Sequence, residues 1–229
     1  MAKMKKMIAL LLFSMLLCGC RTIHKKPASI SPEVFHEYFP VDEKSVWTYR
    51  IHMDDQTIER VMRWEGEDKA NKHWVRFLTD DKGYRKAYEI TPESVTLRGI
   101  SVLNEPEILY YKGENPCLRS PLVVGSTWDI DATLSTPGTL IAQKGFARVL
   151  EIGTCGVEAG EFPAVKILFN ITSDYHIRET GKQSTVSAQY VVWYGRGAGL
   201  LKQYGTALIA EKPNFTRIDL ELVSLKGKE

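Results

Sequence analysis

The 229-residue sequence lacks the short motifs that mark common catalytic and cofactor-binding sites. It contains no His-Glu-x-x-His zinc motif, no Walker phosphate loop and no Gly-x-Ser-x-Gly nucleophile elbow. Its five histidines are scattered without the spacing of a metal site. We therefore predict a protein that is not an enzyme and that has no catalytic residue, no metal and no cofactor.

The sequence also has little net charge once its first residues are set aside. Lys3, Lys5 and Lys6 belong to the 30 basic residues, so 27 basic residues stand against 28 acidic ones from Cys20 onward. A nucleic-acid-binding protein needs a basic surface that neutralises phosphates. The charge balance therefore excludes nucleic acid as a partner.

No apolar run is long enough for a membrane-spanning helix, which needs roughly 20 residues. The longest run, Met7 to Leu17, follows the cationic residues and precedes Cys18, Gly19 and Cys20. A cationic stretch, an apolar stretch and small residues are the order of a secretory signal. We predict that residues 1–19 are a signal peptide and are removed.

The segment Leu17-Cys18-Gly19-Cys20 resembles the lipobox of bacterial lipoproteins. In that family the last cysteine receives a diacylglyceryl group and becomes the first residue after cleavage. The resemblance implies that Cys20 is lipidated with chains such as palmitate, which anchor the protein to a membrane of the cell envelope. Arg21 stands where an aspartate would imply inner-membrane retention, so we expect the outer membrane, facing the periplasm, in a Gram-negative source.

Downstream of the anchor, we predict a tether over residues 20–34 and a single β-rich domain over residues 35–229. The tether contains a proline-bounded stretch, Pro27 to Pro32, that is typical of an extended spacer. The remaining length suffices for one core, and no second linker interrupts it.

Alternating apolar residues predict that this domain is mainly β. Val165, Ile167, Phe169 and Ile171 alternate with more polar neighbours, as a half-buried strand requires. A similar alternation occurs near residues 47–51 and 217–222, and further strands are predicted over residues 57–65, 73–79, 84–90, 94–100, 107–111, 127–134, 145–152, 186–194 and 200–207. Tight polar turns between them favour one curved antiparallel sheet, or an open or half β-barrel, with one short N-terminal helix over residues 32–38.

Two segments of the sequence are alike. Pro40 to Trp47 matches Pro121 to Trp128 at the proline, the next aliphatic residue, the serine and the tryptophan. A recurring local device that places an aromatic residue at the start of a strand explains this better than duplication of a half-domain.

Several short motifs resemble, in order, those of a diffuse group of β-rich bacterial lipoproteins of unknown function. They are Tyr38-Phe39-Pro40 with Trp47-Thr48-Tyr49, Gly125-Ser126-Thr127-Trp128, residues 159–165, and Trp193-Tyr194 followed by residues 197–200. The resemblance implies a mainly β fold and carries no activity. A looser, architectural likeness is to half-barrel carriers of lipoproteins, and a fold does not define a function.

The aromatic residues suggest a binding face. We expect Trp47, Trp128 and Trp193 to lie near the inner face of the curved sheet, where they contact a lipid, a glycan or an envelope protein, or simply pack in the core. The favoured function is a non-catalytic binding or assembly module.

Two alternative functions remain open. One is a carrier of acyl chains or lipoproteins in a half-barrel groove. The other is a glycan hydrolase that uses two carboxylates among Asp129, Asp131 and Glu151.

Cys117 and Cys155 are the two cysteines left after processing. In an oxidising compartment an even pair suggests a disulfide, which would close a loop of about 38 residues and stabilise the fold by about 3–4 kcal/mol. A pair of buried thiols in separate strands is the other interpretation.

Overall fold

The computed structural model describes residues 28–53, 56–70, 72–101, 107–209 and 215–227. Within these ranges most residues lie in strands, and one 3-10 helix spans Pro32–Tyr38. The first eight strands are β1 (Ser29–Ile30), β2 (Val46–Met53), β3 (Gln56–Ala70), β4 (His73–Asp80), β5 (Arg85–Ile90), β6 (Ser94–Ser101), β7 (Ile108–Tyr110) and β8 (Lys112–Glu114). The others are β9 (Pro116–Arg119), β10 (Leu122–Val123), β11 (Thr127–Ser135), β12 (Thr139–Val157), β13 (Gly160–Ile177), β14 (Gln183–Gly195), β15 (Gly199–Ile209) and β16 (Phe215–Lys226).

The large sheet is an antiparallel meander that curls on itself. Strands β2 to β6 pair in chain order, β11 to β16 do the same, and β16 pairs with β2. The segment from β7 to β9 closes the remaining gap, because β7 and β9 pair with β6 while β8 pairs with β11. The result is a nearly closed, barrel-like sheet, which confirms the predicted mainly β, curved antiparallel fold with one short helix.

Side-chain alternation places the core inside this curved sheet. In β11, Trp128, Ile130, Ala132 and Leu134 are buried, while the intervening Thr127, Asp129 and Asp131 are exposed. Successive residues of a strand point to opposite faces, so each such strand contributes one apolar face to the interior. No helix in the described ranges is both long and apolar enough to cross a membrane.

The helix and the residues around it close over part of the interior. Phe35 and Tyr38 are buried, and Arg196, in the turn between β14 and β15, forms an ion pair with Glu37 at 2.6 Å. Upstream, Ile30 is buried and β1 pairs with β10. Among the described residues, Ala28 and Ser29 already form backbone contacts with the folded domain, within the segment predicted as a tether.

The two matching segments form the same local device. Ser45 donates its backbone N–H to the carbonyl of Asp42 (3.0 Å), and Ser126 does the same to Val123 (2.9 Å). Two residues after each serine lies a buried tryptophan, Trp47 or Trp128, which is the second residue of its strand. Their indole N–H groups donate to backbone carbonyls, of Ala198 at 2.7 Å and of Pro116 at 3.0 Å. These matched contacts fit a recurring strand lead-in.

Candidate binding site

A cavity of about 170 Å³ lies on the inner side of the barrel-like sheet. Strands β2 to β5 and β14 to β16 contribute to its wall, together with the chain that follows the helix. Aromatic and aliphatic residues form most of the lining, which consists of Phe39, Pro40, Trp47, Tyr49, Met62, Trp64, Leu78, Lys86, Tyr88, Tyr194, Ala198, Gly199, Leu200, Gln203 and Leu220.

Phe39 organises the aromatic part of the wall. Its ring centroid lies 5.9 Å from that of Trp64, 5.1 Å from Tyr88 and 6.1 Å from Tyr194, in tilted or edge-on arrangements that aromatic pairs favour. All four rings are buried. They form one packed cluster, which makes the wall rigid.

Polar atoms on three of the large aromatic side chains of this wall are already engaged by the backbone. The indole N–H of Trp47 donates to Ala198, that of Trp64 donates to the carbonyl of Pro40 (3.1 Å), and the Tyr49 hydroxyl donates to the carbonyl of Leu200 (2.9 Å). These groups hold the cavity wall in place. What the three side chains present to the cavity is therefore mainly apolar surface.

Lys86 is the only residue of a charged type in the lining, as far as the described residues form it. It lies on β5 opposite Leu78 of β4, and it shares a face with Tyr88 because the two are two positions apart. Burial lowers the pKa of Lys86, and the nearby Cys117 and Asp80 partly oppose that effect. The Asp80 carboxylate itself lies 3.6 Å from the guanidinium of Arg60.

The thiol and the two tyrosine hydroxyls near Lys86 are neutral at physiological pH. Burial raises the pKa of Cys117 to about 11, although the Lys86 ammonium and a hydrogen bond with Tyr194 act against it. Burial also raises the pKa of Tyr88 and of Tyr194 well above the ordinary value. Among the described lining residues, Lys86 is therefore the one side chain that can carry a full charge at this pH.

The three predicted tryptophans do not share one face. Trp47 lines the cavity, and Trp128 is buried elsewhere in the interior, with its ring 6.4 Å from that of Phe169. Trp193 lies on the opposite face of β14 from the buried Tyr194, with the Lys166 ammonium 5.1 Å above its ring and Tyr204 5.2 Å away. The prediction of a common inner face is corrected for Trp193, because adjacent strand residues point in opposite directions.

The carboxylates considered for a hydrolase lie away from the cavity. Asp129 and Asp131 are exposed on the outer face of β11. Glu151 is exposed on β12, where its carboxylate is 3.8 Å from Lys166. None of the three is among the residues that line the interior cavity.

Cys117 and Cys155 are free thiols in the structure, so the predicted bridge is not formed there. The thiol of Cys117 forms a hydrogen bond with the side chain of Tyr194, which lines the interior cavity. Cys155 instead lies near Lys166 and Lys202. These two lysines are the register partners of Trp193 on the strands that flank β14. The two thiols thus have different neighbours. Cys20, the predicted lipidation site, lies outside the described residues.

A network of charged side chains that was not predicted from the sequence lies at the seam of the barrel, where the segment from β7 to β9 closes the sheet. Glu89 of β5 accepts hydrogen bonds from Arg98 of β6 (2.8 Å) and contacts the His73 ring of β4 (2.6 Å). Arg98 also reaches across to β8, where it contacts the Gly113 carbonyl and the Glu114 carboxylate. This network ties the closing segment to β4–β6. Among the described residues, no group of three or more His, Cys, Asp or Glu side chains is arranged to hold a metal.

The sequence matches no protein-family model and no curated protein. Two solved structures are similar to it, each over 82% of this chain and 98% of the other. One is a candidate lipoprotein from Parabacteroides distasonis, with 13% identity and a TM-score of 0.53. The other is a candidate exported protein with a YmcC-like fold from Bacteroides fragilis, with 15% identity and a TM-score of 0.50. At these identities the likeness shows a shared fold.

Proposed function

We propose that the protein is a lipid-anchored bacterial envelope protein whose β domain is a non-catalytic binding module. The observation that carries the binding function is the interior cavity, which combines a packed aromatic wall with one charged group. Concave, mostly apolar sites with a few placed polar groups are the usual form of small-molecule sites.

Two features support the anchor. The Leu17-Cys18-Gly19-Cys20 segment has the order of a lipobox, and the fold is shared with a candidate lipoprotein and a candidate exported protein. The nine residue steps from Cys20 to Ser29 span at most about 30 Å, so the anchor would hold the domain close to a membrane surface.

The alternative functions receive less support. A half-barrel carrier needs an open groove for acyl chains, whereas the sheet is nearly closed around a cavity of about 170 Å³. A glycan hydrolase needs two carboxylates that flank a substrate. Asp129 and Asp131 instead point outward from one strand.

Palmitate labelling tests the anchor. We expect the full chain, expressed in a bacterium, to incorporate a palmitate analogue and to partition into detergent. Cys20→Ala should abolish both properties, whereas Cys18→Ala, the matched control, should retain them. Continued labelling of Cys20→Ala would show that the anchor is wrongly assigned.

Mass spectrometry of the purified Cys20→Ala chain tests the binding function. We expect an apolar compound to co-purify and to be released on denaturation. Leu78→Phe fills the cavity and should remove the compound, whereas Val61→Phe, on an exposed position of β3, should retain it. Hydrolysis of a cell-wall glycan that is lost on substitution of one acid would instead establish an enzyme.

A further inference from the structure

We propose that the cavity binds a compact apolar molecule that carries one carboxylate, with the ammonium group of Lys86 as its counter-charge. This inference rests on the proposed binding function and names its ligand class. It is carried by the charge balance of the cavity, by the polar groups that its wall leaves free, and by its size.

The described lining of the cavity has a basic residue but no acidic residue to balance it. Among the described lining residues, Lys86 is the one basic side chain, and no Asp or Glu is present. Among the described residues no carboxylate forms an ion pair with Lys86, and Asp80, which acts on it from a greater distance, is engaged by Arg60. Lys86 is partly exposed, and a cation beside apolar surface is less favourable without a paired charge. A ligand carboxylate would supply the missing charge.

The polar groups left free point to the same ligand. Trp47, Trp64 and Tyr49 already donate to backbone carbonyls. Lys86 and Gln203 are the lining residues whose nitrogen donors have no partner among the described residues. An ammonium offers three N–H donors and an amide offers two, whereas a carboxylate is an acceptor only. The Lys86 ammonium, which has no acceptor, therefore complements an acid better than an amine, whereas the Gln203 amide can also accept through its carbonyl oxygen.

The volume limits the apolar part of the ligand. An apolar cavity of about 150 Å³ accepts benzene, and this one measures about 170 Å³. The four clustered rings of Phe39, Trp64, Tyr88 and Tyr194 suit a flat or short-chain group. We therefore expect an aryl or short-chain carboxylic acid rather than a diacyl lipid.

Paired probes test the charge requirement. The full chain carrying Cys20→Ala would be titrated with phenylacetate and phenethyl alcohol, and with octanoate and octanol, followed by calorimetry and tryptophan fluorescence. Each acid should bind at least about tenfold more tightly than its alcohol, as one charge-assisted contact provides. Lys86→Met and Lys86→Gln should each abolish this preference without weakening the alcohols. Lys144→Met, at an exposed position of β12, should leave it unchanged.

The outcomes separate this inference from the proposed function. Equal affinity for acid and alcohol in the Cys20→Ala chain, or a preference that survives both Lys86 substitutions, would overturn the role of Lys86 and leave the binding function standing. Failure of all four probes, when an apolar compound still co-purifies, would overturn the ligand class alone. Failure of all probes without any co-purifying compound would overturn both.

Discussion

Tyr190 of β14 lies directly across from Gly205 of β15, and the absence of a side chain on Gly205 makes room for it. The Tyr190 ring stacks on that of Phe169, with centroids 5.0 Å apart and planes within 9°. A Cβ on Gly205 would meet the Tyr190 Cβ and the carbonyl oxygen of Gln189 well inside contact distance. The aromatic stack therefore depends on this glycine.

We expect Gly205→Ala to destabilise the protein by about 1–3 kcal/mol, because the added methyl group forces Tyr190 or the strand to shift. Urea denaturation followed by circular dichroism measures the change. Gly156→Ala is the matched control, since a Cβ at that position in β12 meets no atom within 4 Å. Equal stability of the two variants would show that the strands separate easily at Gly205.

Trp128 should contribute more to stability than Trp193 does. Trp128 is 5% exposed and Trp193 is partly exposed, so Trp128→Ala should cost about 3–5 kcal/mol and Trp193→Ala clearly less. Trp128→Phe keeps a ring but leaves the buried Pro116 carbonyl without its indole donor, at a cost of about 1–3 kcal/mol. The free energy of unfolding in urea gives the comparison. An equal cost for both alanine variants would contradict the assignment of Trp193 to the outer face.

Much of the fold could be predicted because strand alternation is a local signal. The strand predicted over residues 127–134 matches β11 (Thr127–Ser135), since its buried and exposed residues alternate without interruption. By contrast, the prediction over residues 145–152 covers only part of β12 (Thr139–Val157). The sequence of residues 139–144 does not alternate cleanly, and a bulge after Val149 shifts the register. Closure could not be predicted, because it depends on β16 pairing with β2, which is distant in sequence, and on β8 pairing with β11 while β7 and β9 pair with β6.

The site was less accessible to sequence reasoning. Lys86 falls within the strand predicted over residues 84–90, and it is two positions from both Tyr84 and Tyr88. This spacing was the available signal, because it predicts that Lys86 lies on the same face of the strand as the two tyrosines. For Trp193 the prediction chose the wrong face of the strand, because a shift of one residue moves a side chain to the other face. The contribution of Phe39 had no comparable signal, as it depends on how the helix packs.

We expect Cys117 and Cys155 to react as free thiols. In the chain with Cys18 and Cys20 replaced by alanine, we expect Ellman's reagent to detect Cys117 and Cys155 after denaturation without a reductant. In the folded protein Cys117 should react slowly, because burial raises its pKa to about 11 and leaves little thiolate at neutral pH. Cys155→Ala and Cys117→Ala assign the two rates. If thiols are detected only after reduction, the two cysteines form a bridge.

Glu89 should stabilise the seam of the barrel. Its side chain is 15% exposed, and its carboxylate lies 2.6 Å from Arg98. Glu89→Gln removes this charge and leaves Arg98 with the more exposed Glu114, so we expect a loss of about 1.5–3 kcal/mol. Glu59→Gln is the control, because that exposed side chain contacts Arg50 at 3.5 Å and should change stability by less than about 0.5 kcal/mol.

The contribution of Glu89 should also depend on pH. Burial raises its pKa, but hydrogen bonds from His73 and Arg98 outweigh burial, so the pKa of Glu89 is below the ordinary value. A carboxylate with a lowered folded-state pKa stabilises fully above its unfolded pKa, about 4.3, and loses this effect as the pH falls through the folded value. Urea midpoints of the native chain and of Glu89→Gln should therefore differ at about pH 7 and converge towards about pH 3. A difference that persists at the acidic end would mean that side-chain packing, and not the ionised carboxylate, is what Glu89 contributes.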